Sequence, residues 1–208
     1  MDTKKLSLTI VFTALAIVLN PTLSHIQLAF PLVPGLYYQI WEIPIIIALL
    51  IISPISSIAV SLLNTIVLFA LFPGNLPTGP LYNLLATLSM QIGIYITISI
   101  GKKIYTHKKP QTNILTSIKW LTITTATGIL TRITFMTIIL YFTLPQNPPI
   151  GYGYSQIVTN ASLPLVGLFN ASLALYTIPI AWLIAQRVQQ TLRLPYQTQI
   201  KQNNTKKS

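Results

Sequence analysis

Glu42 and Arg132 carry the most chemical weight in this chain, because each is a lone charge inside an apolar stretch. Thirteen Lys/Arg and two Asp/Glu leave 7% of 208 residues charged, against roughly 25% in an ordinary soluble domain. The basic residues fall in three groups: Lys4 and Lys5; Lys102, Lys103, Lys108, Lys109 and Lys119; then Arg187, Arg193, Lys201, Lys206 and Lys207. Between these groups only Glu42 and Arg132 are charged. An arginine inside a membrane helix costs roughly 2.5–3.5 kcal/mol on insertion scales, so it must face a cavity or a partner. Glu42 is the one carboxylate placed to pair with it. Either the pair locks helices together, or one or both side chains face a ligand.

The rest of the intramembrane polar inventory is amide, hydroxyl and aromatic: Asn64, Tyr82, Asn83, Gln91, Tyr141, Asn160, Asn170 and Tyr176. A single membrane Asn is commonly interhelical glue, worth about 0.6 kcal/mol. Several amides and tyrosines opening to one side instead suit a small-molecule pocket, which is mostly apolar with a few converging polar groups. Tyr37, Tyr38 and Trp41 in one loop and Tyr152 and Tyr154 in another could close such a pocket, or form an aromatic belt at headgroup level.

Enzyme constellations are poorly supplied, and the chain is expected not to be an enzyme. With Asp2 and Glu42 as the only acids, paired carboxylates for acid–base work or Mg²⁺ are missing from the sequence. His25 and His107 are expected on opposite faces of the membrane, too far apart to share a metal. Zero cysteines excludes disulfides and thiolate metal sites. No Gly-rich phosphate loop follows a strand, so any ATP-driven step needs another chain. The net charge of +11 reads as the basic flanks of membrane helices, aided by anionic lipid headgroups, and not as a nucleic-acid surface.

These residues must be positioned by membrane helices. A run of about 18 or more uncharged apolar residues is long enough for a bilayer core of roughly 30 Å, and in lipid such runs default to helices. Six spans are predicted, at 6–23, 40–54, 56–72, 81–101, 119–143 and 160–186. The expected fold class is therefore an all-α integral membrane protein with six transmembrane helices. Six spans return both termini to one side. The positive-inside rule then puts Lys4/Lys5, the 102–119 loop and the tail in the cytoplasm. Residues 1–193 form one membrane domain and 194–208 a disordered basic tail. Pro54 makes the second and third spans a tight hairpin. The outer loops, 24–39, 73–80 and 144–159, are rich in Pro, Gly and Tyr, which favours defined turns. The first span has no small-residue cleavage site after it and is read as retained.

Several stretches resemble the substrate-binding S component of energy-coupling factor (ECF) vitamin transporters, particularly the riboflavin-binding branch. EIPIIIALLIISPISSIAVSLLNTIVLF (42–69) is similar to its second and third helices, LYNLLATLSM (81–90) to the fourth, TRITFMTIILYFTLP (131–145) to the fifth and LPLVGLFNASLALYTIPIAWLIAQRV (163–188) to the sixth. In riboflavin binders an Asn commonly precedes the Tyr-Phe of helix five, where this chain has Leu140. A Lys commonly follows the Phe-Asn of helix six by three positions, where it has Leu173. Asn170 is kept. Each lost polar contact leaves a ligand group unpaired, at roughly 1–3 kcal/mol.

The resemblance implies capture of a vitamin, riboflavin or a related heterocycle, from outside the cell. It also implies uptake powered by a membrane coupling subunit and two ATPase subunits, in a prokaryotic plasma membrane. The expected substrate-binding residues are Tyr37, Trp41, Glu42, Asn83, Arg132, Tyr141 and Asn170. Small residues on helix one serve the family in docking to the coupling subunit. Here Thr9, Thr13, Ala16 and Asn20 form a small or polar stripe, without the family's alanine pair. A solitary carrier and a ligand-free structural membrane protein are the alternatives that the residues leave open.

Overall fold

The computed structural model describes residues 3–20, 28–33, 36–71, 76–108 and 114–192. His25, Pro21 and the expected tail at 194–208 lie outside these. The described chain is all-helical: α1 Thr3–Val18, α2 Glu42–Ile51, α3 Pro54–Leu71, α4 Gly79–Lys108, a 3₁₀ turn at Ile114–Thr116, α5 Ile118–Thr143 and α6 Gln156–Leu192. Among the described residues the only extended pairing is an isolated antiparallel bridge between Ala29 and Tyr37.

Among the described residues four stretches are long and apolar enough to cross a membrane: Pro54–Leu71, Gly79–Ile104, Ile118–Thr143 and Gln156–Thr191. The other two expected spans are shorter. α1 has 16 helical residues instead of running to 23, because Pro21 disfavours helix in the residue before it. α2 has only 10, about 15 Å of rise. Pro44 is tolerated in its first turn, where an N–H would have no helical acceptor anyway. The helix stops where Ser53 starts the next one. Ser53 Oγ accepts the Ser56 N–H at 3.1 Å, an N-cap with Pro54 in the favoured first helical position. The expected hairpin is thus a capped Ser-Pro junction.

Short as it is, α2 is the centre of the bundle. Residues 44–50 and Glu42 are all buried, and α2 packs on α1, α3, α4 and α6. The longer helices run around it, with α3 on α4, α4 on α5 and α5 on α6. Gly93 allows the α4–α5 approach, since a Cβ there would stand 2.9 Å from the Thr127 carbonyl oxygen. On α5 the buried residues Trp120, Thr124, Gly128, Arg132, Met136 and Leu140 recur every fourth position. Arg132 therefore belongs to an inward stripe.

Candidate functional site

Glu42, in the first turn of α2, meets Arg132 from α5 at the middle of the bundle. Arg132 Nη1 donates to Glu42 Oε2 at 2.6 Å and Nη2 to Oε1 at 2.9 Å, a bidentate fork matching guanidinium to carboxylate. Arg132 Nε donates to Asn170 Oδ1 on α6 at 2.9 Å, and Nη1 also lies 3.7 Å from Met90 Sδ on α4. Asn170 is held in that pose because its Nδ2 donates to the Val166 carbonyl at 2.9 Å. Thr87 Oγ1 donates to Glu42 Oε1 at 3.2 Å and to the Asn83 carbonyl at 2.8 Å. Asn83 Oδ1 in turn accepts from Gln39 Nε2 at 2.6 Å. Glu42 is 0% and Arg132 1% exposed.

This arrangement settles the local electrostatics. The buried charges cancel, and most of the guanidinium's donors are already committed. A charged ligand beside it would bring an uncompensated charge into low dielectric, a cost of several kcal/mol.

An aromatic roof lies next to the ion pair. Backbone bonds from Phe30 N to Leu36 O and from Tyr38 N to Leu28 O, both 2.7 Å, set residues 28–30 antiparallel to 36–38 as a small hairpin. Its Phe30 and Tyr38 rings rest on α6: Phe30 is 5.3 Å and Tyr38 6.0 Å from Phe169 between centroids, and Tyr38 is 5.7 Å from Tyr176. These tilted and edge-on pairings are the favourable ones for aromatic rings. Leu173 is fully buried with Phe30 and Phe169, and Leu140 packs with Ala86, Met136 and Leu144. Leu140 and Leu173 are thus both apolar packing positions. One polar atom of the network, Gln39 Oε1, is buried without a hydrogen-bond partner.

Of the expected site residues, Glu42, Asn83, Arg132 and Asn170 come together in one network, and Trp41 is buried at the start of α2. Tyr37 is on the exposed side of the hairpin at 36%, and Tyr141 is 42% exposed beside Phe142. Neither touches the network. Thr9, Thr13 and Ala16 face into the bundle, where α1 packs on α2 and α3. The outward face of α1 carries Leu6, Ile10, Val11, Leu15 and Val18 instead. The network also uses Gln39, Thr87 and Met90, which sequence reasoning did not single out. Thr87 and Met90 follow Asn83 at helical spacing on α4, so the 3.6-residue period held their signal, whereas Gln39 lies ahead of α2, outside any helix, and no periodicity marked it. Comparison with protein-family models, with curated proteins and with solved structures finds no match to this chain.

Proposed function

We propose that this chain is the substrate-binding S component of an ECF-type importer, capturing a neutral planar vitamin, riboflavin or a related heterocycle. In this reading it crosses a prokaryotic plasma membrane six times with both termini in the cytoplasm, α1 and α2 being the two short spans. A membrane coupling subunit and two ATPases supply the energy. The observation that carries the reading is the pairing of a charge-neutral Glu42–Arg132–Asn170 network with the aromatic roof of Phe30, Tyr38 and Phe169. A flat guest under that roof stacks on rings, and a donor on its edge satisfies Gln39 Oε1. Burying Gln39 Oε1 unpaired costs about 1–3 kcal/mol, which a suitable ligand would recover on binding. The apolar surroundings of Leu140 and Leu173 favour a ligand with fewer polar groups than riboflavin.

The test is tryptophan fluorescence of the detergent-purified protein titrated with riboflavin and then with other water-soluble vitamins, since Trp41 is buried beside Glu42. Saturable quenching that weakens at least tenfold in Asn170→Ala supports the proposal. Silence across the panel contradicts it. One competing reading has its own support: because Glu42 and Arg132 satisfy each other fully, they also suit a purely structural clamp, which predicts that silent outcome.

A further inference from the structure

A small cavity lies between α2, α3 and α4, apart from the aromatic roof. It is lined by Trp41 and Ile45 from the α2 segment, by Ser61, Asn64 and Thr65 on α3, and by Asn83 and Thr87 on α4. Its volume is about 10 Å³, close to the minimum one water needs. Asn64 is 3% exposed, and its Oδ1 is a buried acceptor without a protein partner. The hydroxyls around it already give up their protons: Ser61 Oγ to the Ser57 carbonyl at 3.0 Å and Thr65 Oγ1 to the Ser61 carbonyl at 2.8 Å. Thr87 Oγ1 is likewise committed, to Glu42 and to the Asn83 carbonyl. Ser61 Oγ also accepts from Gln91 Nε2 at 2.7 Å, so the unmet need of the wall is a donor for Asn64 Oδ1, beside the amide N–H groups of Asn64 and Asn83.

We infer that this is a binding site for one structural water, which donates to Asn64 Oδ1 and to a wall hydroxyl such as Thr87 Oγ1. A small monovalent cation would also suit oxygen ligands. It would, however, add an uncompensated charge to a buried wall without a carboxylate, which burial penalises heavily, whereas water enters neutral. Donation into Thr87 polarises the hydroxyl that itself donates to Glu42. The water thereby ties α3 to the ion-pair network through a chain running from Asn64 to Arg132.

The experiment is thermal denaturation of the full-length protein and of Asn64→Leu in detergent, each in sodium chloride and in choline chloride. Leu has nearly the shape of Asn but accepts no hydrogen bond. A Tm a few degrees lower in Asn64→Leu, with no difference between the two salts, is the expected result. A Tm unchanged or higher in Asn64→Leu would mean that the Asn64 carbonyl is an unpaired burden in a dry cavity. A wild-type Tm that climbs with sodium would assign the site to a cation. Either would overturn the inference. Should Asn64→Leu fail to fold, a wild-type structure at high resolution decides. Density at hydrogen-bond distance from Asn64 Oδ1, about 2.7–3.2 Å, supports the water, and a dry cavity or shorter, cation-like contacts overturn it.

Discussion

Two aromatic loops cap the same end of this bundle and do opposite things with their rings. The hairpin of 28–33 and 36–38 turns Phe30 and Tyr38 inward onto Phe169 and Tyr176. The segment 144–155 stacks Tyr152 on Tyr154, with centroids 5.3 Å apart, yet leaves them 46% and 39% exposed. The second loop is held by its backbone. Tyr152 N and Tyr154 N both donate to the Leu144 carbonyl at 3.2 Å, and Gly153 adopts φ +67. Tyr82 and Thr78 from the start of α4 hold it from below, at 2.5 Å to the Ile150 carbonyl and 2.6 Å to the Pro149 carbonyl. Both loops have main-chain bonds, so similar composition covers two designs that differ in their rings, buried against α6 in the first and left exposed in the second. The first packs on the stretch of α6 that carries Asn170.

The largest expected effect tests the floor beneath the inward loop. Arg132→Met strands the Glu42 carboxylate in the core and should cost about 3–5 kcal/mol, read by thermal or denaturant unfolding. Adding Glu42→Gln should return much of it, because no buried charge is then left alone. Next comes the roof. Phe169→Ala removes the ring on which both Phe30 and Tyr38 rest, and should cost about 3 kcal/mol. Hydrogen exchange should rise in 28–33 and 36–41 and stay unchanged in 144–155. Equal loosening of both loops would erase the distinction drawn between them.

Smaller effects belong to the outward loop. Gly153→Ala forces a side chain into left-handed backbone, at about 1–2 kcal/mol, and should speed proteolysis within 144–155 while leaving ligand binding alone. Tyr152→Ala should change stability by no more than about 0.5 kcal/mol, since its main-chain hydrogen bonds survive. A loss comparable to that of Phe169→Ala would show that this loop, too, is held by its rings.

How far the sequence could be read follows the same division. Isolated charges in an apolar chain announce themselves, because burial punishes them unless they pair, and so Glu42 and Arg132 could be matched from their positions in the chain alone. Asn83 and Asn170 lie on other helices, α4 and α6, and were legible only as lone amides in apolar stretches. Tyr141 did not yield to that logic: it lies one position past Leu140 in the inward stripe of α5, and a single residue turns a helical side chain by about 100°. Ring direction in the loops was illegible for a different reason. Pro, Gly and Tyr mark both as defined turns, but whether a tyrosine points inward depends on the helix across from it. Phe169 decided this for the first loop. The half-length of α2 was likewise hidden, since an uninterrupted apolar run fits a full span and a short, fully buried helix alike.

The central claim is that the inward loop and the ion-pair network form one ligand site. Hydrogen exchange of the protein with and without saturating vitamin, taken through riboflavin and the other water-soluble vitamins in turn, tests it most directly. The account predicts that one of them slows exchange in 28–33 and 36–41 and in the neighbouring turns of α2 and α6, with 144–155 unaffected. No protection from any vitamin, or equal protection of both loops, would contradict it.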